Sequence, residues 1–152
     1  MNDIHITIKN SLKEAMLAKD TVKLEVIRGL MTAFMNELVA TGKTPQDVLE
    51  DIDVIRVIRR IIKQREDSIS QFTAAGRMDL VNEDSAQLDI LKTYVPAQAD
   101  ADEVKTVAEK VKIQMGIEDK SKMGILIGAV KKELGDRGDG SVIKSVVENL
   151  FN

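Results

Sequence analysis

Apolar residues return every third or fourth position along most of this chain, and the breaks fall at glycine, proline or short polar runs. Ile4, Ile8, Leu12 and Met16 predict one face of a first helix. Ala18-Lys19-Asp20 interrupts it, and Asp20 is placed to cap a second helix that turns Leu24, Ile27, Met31, Phe34 and Leu38 inward. Gly42 suits the position just past that helix. Thr44-Pro45 predicts a further helix start, because threonine caps well and proline fits the first helical position. The longest helix is predicted from about Asp51 to Ala75, with Ile55, Ile58, Ile62, Ile69 and Phe72 as its buried stripe and Gly76 as its stop. Asp79 is expected to cap a fourth helix carrying Leu80, Leu88, Leu91 and Tyr94, closed by Pro96.

Pro96-Ala97-Gln98-Ala99 reads as a linker. Asp100 and Glu103 then have the spacing of a capping box, opening a fifth helix with Val104, Val107 and Val111 inward and Gly116 at its end. A sixth helix is predicted from about Lys122 to Leu134, with Met123, Leu126, Ile127 and Val130 apolar. The turn from Gly135 to Gly140 leads to a last helix bearing Val142, Val146, Val147 and Leu150. In that turn Gly138 is expected to take a positive φ and Asp139 to be the N-cap. The expected fold class is all-α: an amino-terminal four-helix domain, residues 1–96, followed by a small three-helix carboxy-terminal domain, residues 97–152.

Composition sharpens this picture. Two prolines, nine glycines and four aromatic residues in a chain that is 43% hydrophobic argue against a sheet protein. There are no cysteines, which excludes disulfides, Cys-zinc sites and a thiol nucleophile and fits a reducing compartment. The amino end has no apolar h-region and no segment has the run of about 18 apolar residues that a membrane span needs. The expectation is a soluble, cytoplasmic protein with no membrane partner.

Candidate chemistry is sparse. His5 is the one histidine, and its place near the amino terminus predicts a surface role rather than a metal or triad role. The glycines of the 135–140 turn lack the ending of a phosphate loop, and no serine lies in a nucleophile elbow. Asp47, Glu50, Asp51 and Asp53 cluster at the start of the long helix, where they complement its dipole. No catalytic residue, metal ligand or cofactor is assigned. The basic residues are more informative. Arg56, Arg60 and Lys63 share one face of the long helix, with Arg59 beside them and Glu66 and Asp67 close enough to pair. In the small domain Lys122, Lys131, Lys132, Arg137 and Lys144 face only Glu133, Asp136 and Asp139, a local positive excess inside a chain of net charge -3. Phosphate binding depends on such local charge. So few aromatics leave base stacking aside and point to backbone and shape contacts with folded RNA.

Lys63-Gln64-Arg65, Ser68-Ile69, Phe72, Gly76-Arg77, Asp79-Leu80, Tyr94 with Pro96, Met123-Gly124 and Asp139-Gly140, in this order and spacing, resemble the YqeY proteins of the GatB/YqeY family. The likeness spans nearly the whole chain. It implies an all-α fold whose carboxy-terminal part looks like the GatB tail domain of the tRNA-dependent amidotransferase. In that setting the module is thought to help hold tRNA. The resemblance therefore implies a non-catalytic, tRNA-associated accessory module; the local positive charge makes Lys122, Lys131, Lys132, Arg137 and Lys144 its expected phosphate contacts, helped by the helix start at Met123-Gly124. Two other functions go with it: a protein-interaction module docking on a tRNA synthetase or an amidotransferase subunit, and the carbon–nitrogen ligase activity, with glutamine as amido donor, of the family's label. This chain has Ile125 after the Met-Gly pair, where the family tends to place a basic residue.

Overall fold

The computed structural model describes residues 3–152. Among them the chain forms α1 (Asp3–Leu17), α2 (Thr21–Ala40), α3 (Asp51–Ala74), α4 (Met78–Lys92), α5 (Ala101–Met115), α6 (Met123–Leu134) and α7 (Gly140–Leu150), with short 3-10 turns at Lys120–Lys122 and Gly135–Arg137. The described residues contain no strand, so the fold is all-α as expected. They divide into two compact units, one ending at Val95 and the other starting at Pro96.

In the first unit α1 lies against α2 and α3, and α4 packs on α3 and α2. Ile8, Ile27, Leu30, Phe34, Leu38, Leu49, Val54, Val57, Ile58 and Leu91 make the core. Each such side chain, fully removed from water, contributes about 1.5–3 kcal/mol before entropy is charged against it. Met16 leaves the predicted face of α1 and is 53% exposed, while Ala15 is buried in its place. A four-residue repeat overshoots a helical turn by about 40° per step, so three steps carry Met16 roughly 120° away from Ile4. The stripe of α3 is likewise Val54, Val57, Ile58 and Ile62, with Ile55, Ile69 and Phe72 only partly covered.

The helix ends follow local chemistry. Asp20 caps α2 by accepting the Lys23 N–H at 3.1 Å. Gly42, at φ 80°, and Gly76, at φ 71°, close α2 and α3. In each case the residue after the glycine reaches back to the helix, Lys43 N–H to Leu38 O at 2.8 Å and Arg77 N–H to Phe72 O at 2.9 Å. Two expected starts are corrected. Thr44-Pro45 opens no helix: the Thr44 N–H donates to the Asp47 carboxylate at 2.8 Å, and the Asp47 N–H to the Thr44 carbonyl at 3.0 Å. That closed turn sends Leu49 into the core, and α3 begins only at Asp51. Asp79 lies inside the first turn of α4 rather than at its cap, and its carboxylate is paired with the Arg77 side chain at 3.1 Å.

In the second unit α5, α6 and α7 pack mutually around Val104, Ala108, Val111, Ile117, Leu126, Val130, Ile143 and Val147. Asp100 caps α5 by accepting the Glu103 N–H at 2.8 Å. Asp139 caps α7 by accepting the Ser141 N–H at 2.8 Å. Gly138 has φ -91°, not a positive value; the left-handed glycine of this turn is Gly135 at φ 62°. What Gly138 supplies is space. A Cβ there would stand 3.0 Å from Ile143 Cδ1 and 3.1 Å from Leu134 Cβ. Gly138→Ala is therefore expected to destabilise this unit by about 1–3 kcal/mol, the usual range for overpacking. Urea unfolding followed by helical circular dichroism checks it, and an unchanged midpoint would show that Ile143 can yield.

Candidate nucleic-acid interface

The exposed side of α6 carries most of the expected RNA-contacting residues. Gly124 and Gly128 are four apart and Lys131 follows three later, so they share one face; Ile125 and Lys132 lie alongside. All five are exposed. No other side chain or backbone comes within 4 Å of where a Cβ would stand at either glycine, so the helix backbone is bare along this face. Ile125 is 58% exposed, an apolar residue amid this polar surface.

Lys122 stands at the entry to α6, and Lys131 and Lys132 in its last turn. Nine residues of helix separate Lys122 from Lys131, roughly 14 Å. Lys131 reaches toward α7: its Nζ is 3.8 Å from the Cβ position of Gly140. Lys144 is one turn beyond Gly140 on the same side of α7. The structure thus sets Lys131 and Lys144 near one another toward the end of α6, with Gly128 and Lys132, and leaves Gly124 and Lys122 toward its start.

Arg137 stands apart from this group. Its guanidinium makes a two-pronged bond to Glu103, Nη1 to Oε1 and Nη2 to Oε2, each 2.8 Å. Its Nε donates to the Ala97 carbonyl at 3.0 Å, and its own carbonyl accepts the Ala99 N–H at 2.9 Å. Glu103 holds the guanidinium even more firmly protonated than usual, first through the hydrogen bonds and then through its charge. Glu103 therefore completes only half of a capping box, because its carboxylate goes to Arg137 instead of back to the helix start. Sequence reading placed Arg137 among phosphate contacts because its partner lies 34 residues away. Arg137→Lys keeps the charge but loses the fork. It is expected to speed hydrogen exchange at the amides of α5 and α7, whereas a pure RNA-contact residue would leave exchange of the free protein unchanged.

The other candidates fall elsewhere. On α3, Arg56 pairs with Asp53 at 2.6 Å and with Glu37 of α2 at 3.4 Å, and Arg60 approaches Glu37 at 4.0 Å. The partner is thus Glu37 on a neighbouring helix as much as a carboxylate of α3 itself. Asp51 accepts the Ile4 N–H at 2.9 Å and so caps the start of α1. Among the described residues no group of three or more His, Asp or Glu side chains is placed to hold a metal ion.

His5 is buried, contrary to the surface role expected of it. It is 5% exposed, its ring lies 4.9 Å from that of Phe34, and its Nδ1 accepts the Leu49 N–H at 2.9 Å. The signal was the Phe34–Leu38 face opposite it, which needed a cover. Burial lowers the His5 pKa, and the positive charge of Lys9 lowers it further. The folded state therefore binds its proton less readily than the unfolded chain does. Stability from this group is fully present above the ordinary imidazole value of about 6.5 and is lost as pH falls below it, toward the lowered folded value. Urea midpoints of the chain are expected to fall as pH drops below about 6.5, and His5→Gln should flatten that slope.

An all-helical protein of two units, with a bare, lysine-flanked helix face, is the class that these features define. The family described as "Yqey-like protein" matches residues 5–151, and the chain belongs to that family. Its curated relatives include "Altered inheritance of mitochondria protein 41, mitochondrial" of Saccharomyces cerevisiae (strain ATCC 204508 / S288c), 34% identical over 116 residues, covering 72% of this chain and 60% of that protein. The protein of the same name from Lachancea thermotolerans is 36% identical over 89 residues, covering 58% and 46%. That from Vanderwaltozyma polyspora is 31% identical over 105 residues, covering 68% and 55%. The chain thus spans at most about 60% of the length of these relatives. Their names correct the expectation of a cytoplasmic protein, since each is called mitochondrial. A cysteine-free helical chain fits any reducing compartment, so composition could not choose between the cytoplasm and an organelle interior. Among the described residues no helix is long and apolar enough to cross a membrane.

Proposed function

We propose that this protein is a non-catalytic, tRNA-associated accessory module that meets RNA through the exposed face of α6. The carrying observation is the pairing of bare backbone at Gly124 and Gly128 with Lys131, Lys132 and Lys144 around it. Two glycines one turn apart let a sugar-phosphate chain approach the helix closely, and ammonium groups at the helix end pair with phosphate as point charges. Lys122 extends the contact at the opposite end. Arg137 positions the turn rather than touching RNA, because its fork is filled by Glu103.

The reading is non-catalytic for a reason of site chemistry. The α6 face that carries the reading is made of Gly124, Ile125, Gly128, Lys131 and Lys132, with no histidine or carboxylate among them to act as a general base. A second reading, docking on a tRNA synthetase or an amidotransferase subunit, draws on Ile125 at 58% and Ile113 at 81% exposure in the same unit.

Binding to total tRNA across a salt series separates the two. Lys131→Gln with Lys132→Gln is expected to lower the slope of log affinity against log salt by about two, one for each phosphate no longer neutralised. Absence of binding at low salt overturns the RNA reading. Partner binding that persists unchanged at high salt assigns the face to protein docking.

A further inference from the structure

A groove of about 360 Å³ opens in the amino-terminal unit between α1 and the turn that precedes α3. α1 lines it with His5, Ile6 and Lys9, α2 with Met31, and the turn with Asp47 and Val48, so polar and apolar groups share both sides. Three features make it more than a surface crease.

The first is His5. Its Nδ1 is occupied as the acceptor of the Leu49 N–H, so the ring proton sits on Nε2. That Nε2–H makes no hydrogen bond with a described residue, but it is not sealed from water, since His5 keeps a small exposed edge and lines the groove. A donor at the edge of a groove is hydrogen-bonded to water in the free protein, and a ligand oxygen can take that water's place. The second is Lys9, four residues on and therefore on the same face of α1. Lys9 makes no ion pair with a described residue, and it is near enough to His5 to oppose protonation of the ring. The third is Asp47 on the opposite rim, whose carboxylate is held by the Thr44 N–H at 2.8 Å. Asp47 opposes a second negative charge in the groove, so a single charge placed beside Lys9 is favoured over a multiply charged anion. Selectivity then rests on the directed Nε2–H and on the apolar side chains.

We propose that this groove binds a small monocarboxylate with a short apolar body. One carboxylate oxygen accepts the His5 Nε2–H, the charge is matched by Lys9, and the hydrocarbon part lies on Ile6, Met31 and Val48. The site is in the first unit and is independent of the α6 face, so it stands or falls separately from RNA binding.

The test is a titration of the isotope-labelled protein with butyrate, followed by NMR at the His5 imidazole and the Leu49 amide. Saturable shifts at both groups are expected, with butyrate binding about tenfold more tightly than acetate because two further methylenes are buried. Butanol, which lacks the charge, is expected to bind more weakly than butyrate. Lys9 is exposed, so Lys9→Gln should fold normally and weaken butyrate several-fold. Shifts that do not saturate, an equal response to inorganic phosphate, or butyrate affinity unchanged in Lys9→Gln would each overturn the proposal.

Discussion

The two-pronged bond between Glu103 and Arg137 sets the geometry on which the carboxy-terminal unit depends. It ties the first turn of α5 to the 3-10 turn after α6, and the Ala97 and Ala99 backbone groups add two further links to the same residue. With Arg137 held, Gly138 lies against Ile143 and Leu134, Asp139 is in place to cap α7, and α7 starts where it can present Lys144 beside Lys131. The pair is partly exposed, so its value is directional rather than large in energy: a planar fork on a carboxylate admits one arrangement, where a lysine would admit many. A unit with few large core side chains and no disulfide needs such a directional tie to hold a single register.

Much of this was legible in the sequence because it is local. Asp20, Gly42, Gly76, Asp100, Gly116 and Asp139 announce helix ends through bonds within a few residues, and those ends are where the helices stop and start. What was not legible is what depends on distant partners. Nothing near His5 reports that Leu49 will donate to it from 44 residues away, and nothing near Arg137 reports Glu103. The Thr44-Pro45 start failed for a related reason. Two good local signals gave way to a competing turn at Asp47, favoured because it brings Leu49 into the core. Gly138 shows a subtler failure: glycine was expected for its backbone freedom, and the structure uses its missing side chain.

The candidate interface was legible in part. Lysines in the 122–144 stretch can be counted from sequence, but which of them converge depends on the α6–α7 packing. Setting Arg137 aside with Glu103 leaves four lysines against three carboxylates, a thinner excess than the raw count. The bare glycine face then carries more of the argument than charge does. Ile125 lies exposed on that face, so the ammonium groups stand at the helix end rather than along it.

Lys131 and Lys132 also lie where a helix presents its negative pole, so their charges complement α6 itself by a few tenths of a kcal/mol each whether or not RNA is bound. Reversing them to glutamate would place like charge against that pole and weaken the helix, and a loss of RNA binding would then have two causes. Replacement by glutamine removes the charge without reversing it, and glutamine is as good a helix former as lysine. The change in salt slope, unlike the change in affinity at one salt, counts phosphates neutralised and is insensitive to a small loss of helix stability. Only that slope separates a lysine that serves α6 from a lysine that serves a partner.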